Sequence, residues 1–138
     1  MIHKKYMKLT IYTDGGSRGN PGPSATGIVI KNEAKQVVAN YGEYLGRQTN
    51  NFTEYYAAIS GLKKAKELGA TEVELIVDSK LVCEQLNRRW KVKEPTIQKL
   101  FVQAWNVMQQ FKTIKIRHTL RAGNKEADAE VNKVLDSL

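Results

Sequence analysis

The run Val73 to Val77 constrains the fold most: it is apolar at four of its five positions and sits between two stretches of helical period. A short apolar, largely β-branched run of this kind suits a central strand covered on both faces. Before it, Phe52, Tyr55, Ile59, Leu62 and Ala65 recur at helical spacing, Asn50 or Asn51 can cap the start, and Gly69 supplies a stop. After it, Ser79 can cap a helix carrying Val82, Leu86 and Trp90 at four-residue steps. Pro95 opens a further helix whose one face holds Ile97, Leu100, Phe101, Ala104, Trp105, Met108 and Phe111. Thr113 to Thr119 alternates as a strand, and Asn124 to Leu138 reads as a last helix with Ala127, Val131, Val134 and Leu138 inward.

The N-terminal third has the other period. Leu9 and Ile11 alternate with Thr10 and Tyr12 in a strand from Lys8 to Thr13, which ends at Asp14 and a glycine-rich turn through Pro23. Strands over Ala25 to Ile30 and Gln36 to Leu45 follow, so the first three form an antiparallel meander. The order is β-β-β-α-β-α-α-β-α. This predicts an α/β fold with a mixed five-stranded sheet and helices on both faces, in one domain over residues 1–138.

Composition narrows the function. One cysteine, Cys83, excludes an internal disulfide and a thiolate zinc site, and two histidines are too few for a zinc cluster. A reducing cytoplasm is the expected setting. No apolar stretch approaches the ~20 residues of a membrane span, and the start lacks the apolar core of a secretory signal. The net charge of +8 favours a polyanionic partner such as nucleic acid.

Against that basic background, four acids sit where packing does not ask for them. Asp14 and Asp78 end strands, and Glu54 and Asp128 lie near helix starts. Singly, each reads as a turn residue or as a complement to a helix dipole. Two of them stand at the carboxyl ends of strands, where α/β sheets build their sites, and the two at helix starts could lie nearby. Four converging carboxylates repel one another unless cations neutralise them, and oxygen-only ligands suit Mg²⁺ or Mn²⁺. Two such ions about 4 Å apart can drive phosphodiester hydrolysis.

The segments DGGSRGNPGP, TNNFTEYYAAI, VDSKLV and GNKEADAEVN, in that order, resemble the successive motifs of type 1 ribonuclease H. The resemblance runs over essentially the whole chain. It implies a monomeric, metal-dependent endonuclease that cuts the RNA strand of RNA–DNA hybrids and leaves a 5′-phosphate and a 3′-hydroxyl. It places the metal-binding, catalytic acids at Asp14, Glu54, Asp78 and Asp128, with two Mg²⁺ ions that Mn²⁺ can replace. It places substrate contacts at Gly15, Ser17, Asn20, Asn50, Asn51 and Lys80. Short amides such as Asn50 and Asn51 can read 2′-hydroxyls in the wide minor groove of a hybrid. For Ser17 and Asn20 a plain turn, and for Asn50 a helix cap, are the alternative roles.

The chain departs from that family's pattern in three places. Lys80 stands where many members have glutamine, and lysine cannot accept a hydrogen bond. Only Lys91 to Glu94 separate Trp90 from Pro95, which leaves no room for the extra basic helix of some bacterial members. Lys63, Lys64, Lys66, Arg88, Arg89, Lys91 and Lys93 are then the candidates for gripping a hybrid, or a solvated face. The mobile histidine of some members has no loop counterpart. His118 falls in phase with Ile114 and Ile116 and is expected to be partly buried and structural, while Arg121 lies in the following loop. Two other readings are a hybrid-binding module that has lost catalysis and an integrase-like nuclease. The first predicts a missing acid and the second further DNA-binding segments.

Overall fold

The computed structural model describes residues 5–138, so Met1 to Lys4, part of the N-terminal segment outside the motifs, lie outside the described residues. The elements are β1 (Lys8–Ser17), β2 (Gly22–Lys31), β3 (Val37–Gln48), α1 (Asn50–Glu67), β4 (Glu72–Val77), α2 (Lys80–Leu86), α3 (Pro95–Met108), β5 (Thr113–His118), a 3-10 turn (Arg121–Asn124) and α4 (Lys125–Asp136). They form one five-stranded sheet in the order β3-β2-β1-β4-β5. The meander β1-β2-β3 is antiparallel, whereas β4 runs parallel to both β1 and β5. The expected mixed sheet and element order are therefore present.

Strand alternation divides the core. Leu9, Ile11, Ile28, Ile30, Val73, Leu75 and Val77 join the buried faces of α1, α2 and α3 in the main hydrophobic cluster. Ala25, out of phase with Ile28 and Ile30 on β2, faces the other way and packs on Val131 and Leu135 of α4. Helices thus cover both faces. The apolar β4 lies between β1 and β5, as its sequence requires.

Several boundaries differ from the sequence reading. β1 does not stop at Asp14: it continues to Ser17, because β2 pairs with it as far as Ser17↔Ser24. The parallel ladder with β4 ends earlier, at Thr13↔Val77. β3 extends to Gln48. The cap of α1 is Thr49, whose Oγ1 accepts from the Phe52 amide at 3.2 Å, so Asn50 and Asn51 are already helical. Ser79 does cap α2, accepting from Val82. That helix ends at Leu86, Arg88 adopts φ 61°, and Trp90 is left outside it and 45% exposed. The four-residue spacing of Val82, Leu86 and Trp90 continued past the real end of the helix. Likewise Leu138 lies beyond α4 and is 67% exposed, and Leu135 takes the inward position one turn after Val131.

Candidate active site

The last parallel pair, Thr13↔Val77, sets the site. The residue after each of these is an aspartate, so Asp14 and Asp78 emerge side by side where the parallel ladder of the two central strands ends. This is where a crevice opens in sheets of this kind.

Two close helix approaches add the other acids. At Gly15, a Cβ would fall 2.5 Å from the carbonyl carbon of Thr53 and 2.6 Å from the Glu54 nitrogen. Only a residue without a side chain lets β1 and α1 come this near. Glu54 consequently reaches back, and its Oε1 accepts from the Gly15 amide at 3.3 Å. On the other face Gly27 pairs with Asp14 in the β1–β2 ladder. A Cβ there would lie 2.0 Å from the Ala127 carbonyl oxygen, so α4 presses onto the sheet at the residue before Asp128.

Asp14, Glu54 and Asp78 each offer a carboxylate oxygen within 4.8 Å of the other two, a group that could hold a metal ion. Asp128 lines the same cleft, which has a volume of about 570 Å³, and its Oδ2 accepts from Asn132 at 3.3 Å. Asp14 is only 6% exposed, and Glu54 and Asp78 are half-buried. Burial pushes the Asp14 carboxyl from its ordinary 3.8 up to about 7, with the Asp78 charge and a contact with Asp128 adding to it. Burial also holds the Glu54 carboxyl well above its ordinary value, reinforced by the charges of Asp14 and Asp78. Among the described residues, none of the ion pairs involves these four acids. A hard, oxygen-only donor set with uncompensated charge fits a divalent cation of the Mg²⁺ or Mn²⁺ kind and not a thiolate-seeking one.

The other sequence-derived positions divide. Gly15, Ser17, Asn50 and Asn51 line the cleft, and Asn20 and Lys80 do not. Asn20 Oδ1 instead accepts from the Asn50 amide at 3.0 Å and so fixes the loop after β1 to the start of α1. Lys80 Nζ lies 5.9 Å from the centre of the Trp90 ring. His118 is exposed and not partly buried, because β5 is an edge strand and ends there. Its Nε2 lies 3.2 Å from the Asp78 carbonyl oxygen, which holds the ring at the sheet end. Arg121 lines the cleft. Arg18, Asn132 and the packing glycine Gly27 were not singled out from sequence. Arg18 lines the cleft and pairs with Asp136 of α4, a contact between residues 118 apart that no local pattern reveals.

An acidic cleft at the carboxyl ends of the central strands, on a sheet of order β3-β2-β1-β4-β5, defines a ribonuclease H-like protein. Residues 12–134 match the family described as reverse transcriptase-like. The N-terminal RNase H domain of a Mycobacterium tuberculosis protein superposes with a TM-score of 0.92 at 45% identity, covering 95% of each chain. RNase H1 of Halobacterium salinarum superposes with a TM-score of 0.92 at 40% identity, covering 95% of this chain and 99% of that one. LC11-RNase H1, solved in complex with an RNA/DNA hybrid, gives 0.89 at 36% identity, covering 94% and 97%. The chain belongs to the reverse transcriptase-like family and, within it, to the type 1 ribonucleases H. It spans 36% of the length of a bifunctional protein of Mycobacterium tuberculosis, to which it is 46% identical over 132 residues. It spans 65% of the ribonuclease HI of Halobacterium salinarum.

Proposed function

We propose that this chain is a single catalytic domain that hydrolyses the RNA strand of RNA–DNA hybrids to 5′-phosphate and 3′-hydroxyl ends. The observation that carries this reading is the convergence of Asp14, Glu54 and Asp78 within 4.8 Å, with Asp128 across the same cleft. A cluster whose burial, and next its mutual repulsion, raises the Asp14 and Glu54 pKa values calls for cations. Two divalent ions, Mg²⁺ or Mn²⁺, would supply Lewis acidity there, polarising the phosphodiester and acidifying an attacking water.

The chain's own groups do the rest. The Gly15 amide holds Glu54 turned inward, and the parallel pairing of β1 with β4 up to Thr13↔Val77 fixes the spacing of Asp14 and Asp78. Asn50 and Asn51, at the first turn of α1 and on the cleft wall, offer amide donors and acceptors to 2′-hydroxyls. Gly15 and Ser17 line the same wall and suit backbone contact, whereas Asn20 supports this wall through Asn50. Lys80 would meet a phosphate only on leaving Trp90. With no helix between α2 and α3, basic residues on the body of the domain supply the grip. The working form in this reading is a cytoplasmic monomer; the lone, buried Cys83 fits a reducing compartment. No helix among the described residues is long and apolar enough to cross a membrane.

The test is cleavage of a labelled hybrid beside duplex DNA and duplex RNA, with and without Mg²⁺ or Mn²⁺. The hybrid's RNA strand is expected to be cut only with metal, and Asp78→Asn is expected to fold normally and cut nothing. Failure to cut with either metal, or parental activity in Asp78→Asn, refutes the proposal.

A further inference from the structure

The fourth acid reaches the cleft from a helix far away in sequence, and one side chain ties that helix down beside Asp14. Asn124 is the N-cap residue of α4, yet it makes no capping hydrogen bond. Its side chain turns inward, is 1% exposed, and donates through Nδ2 to the Thr13 carbonyl at 2.8 Å. Asn124 Oδ1 is the one buried side-chain polar atom without a partner among the described residues.

An asparagine here therefore forgoes a favourable cap and leaves an acceptor unsatisfied. Both choices are locally costly. Violations of this kind concentrate where function requires a geometry. The geometry in question is specific: Thr13 precedes Asp14 on β1, and Asn124 stands four residues before Asp128, about 6 Å along the α4 axis. The bond thus links the backbone beside one carboxylate to the helical turn that carries another. The close approach of Gly27 to Ala127 presses the same turn onto the sheet from β2.

We propose that Asn124 is a positioning residue: its amide clamp on the Thr13 carbonyl sets the distance between Asp128 and Asp14 and so completes the metal site. The inference rests on the ribonuclease reading for its chemistry, but its main readout does not.

Asn124→Ala and the parent are titrated with Mn²⁺ by calorimetry, without substrate, beside thermal melts and steady-state cleavage. Loss of a group that orients ligands costs about ten- to a hundredfold in metal affinity. A Mn²⁺ affinity weakened by at least about tenfold is expected, with kcat reduced and KM for the hybrid nearly unchanged. Val73→Ala, a core truncation away from the cleft, controls for stability: it is expected to lower the melt and leave Mn²⁺ affinity alone. Asn124→Gln, which restores an amide donor, is expected to recover part of the affinity. If Asn124→Ala does not fold, Asn124→Ser carries the measurement, because its hydroxyl sits one bond too near the backbone to span to Thr13. Parental Mn²⁺ affinity in the folded variant overturns the proposal. A parent that binds Mn²⁺ but cuts no hybrid refutes the ribonuclease reading instead.

Discussion

Asp14→Asn should stabilise the metal-free protein, and by an amount that depends on pH. In the folded chain the Asp14 carboxyl titrates at about 7, against an ordinary 3.8, chiefly because it is buried and next because Asp78 stands beside it. A displacement of about three pH units corresponds to about 4 kcal/mol at ~1.4 kcal/mol per unit. The folded pKa lies above the unfolded one, so the folded state holds this proton more tightly. The stability this confers is complete below the unfolded value near 4 and drains away as pH rises through 7. Asparagine stays neutral throughout and also relieves Glu54, whose carboxyl Asp14 helps to hold up. Its amide does not reproduce every contact of the protonated acid, so about 2–4 kcal/mol of stabilisation at alkaline pH is the expected range. Urea unfolding in excess chelator, followed by circular dichroism at about pH 5 and about pH 8, measures it. The variant's advantage over the parent should be about 2–3 kcal/mol larger at the higher pH than at the lower, since part of the loss already falls between about 4 and about 5. Saturating Mn²⁺ should narrow the gap by stabilising the parent, since ions bind the folded cluster and not the open chain. A difference that is the same at both pH values, or a parent more stable at pH 8, would refute the reasoning.

Gly15→Ala forces a Cβ to within 2.5 Å of the Thr53 backbone, so α1 must move away from β1. A loss of about 1–3 kcal/mol in urea unfolding and a large loss of cleavage are expected together, and parental activity would show that the close approach does not place Glu54. His118→Ala removes an exposed side chain whose one hydrogen bond is to the Asp78 carbonyl, and turnover should stay within a few-fold with a stability loss of at most about 1 kcal/mol. A tenfold drop in turnover with an unchanged melt would instead give His118 a part in the chemistry. With a net charge of +8, hybrid binding should weaken by at least about tenfold between about 50 and about 200 mM salt, and a flat response would make the charge incidental.

The sheet, its mixed character and the element order follow from periodicity, because alternation and 3.6-residue spacing report burial directly along the chain. The four acids could be singled out for a related reason: each breaks the local pattern in which it sits. Residues near an element's end were less legible. Trp90 and Leu138 keep the spacing of the helices before them, but α2 and α4 stop first, and sequence spacing carries no record of where hydrogen bonding gives out. Nor could the end of β1 be placed, since its last residues are strand only because β2 pairs with them after β4 has left.

What the sequence determined by itself was the set of parts: five strands, their flanking helices, an excess of positive charge and four misplaced carboxylates. Tertiary structure alone decided that the carboxylates meet. Asp14 and Asp78 become neighbours through a parallel pairing across more than sixty residues, Glu54 through a contact possible only at Gly15, and Asp128 through Gly27 and Asn124. The raised pKa of Asp14 belongs to that assembly and to no residue within it, because desolvation and the field of a neighbouring charge exist only once distant segments have packed together.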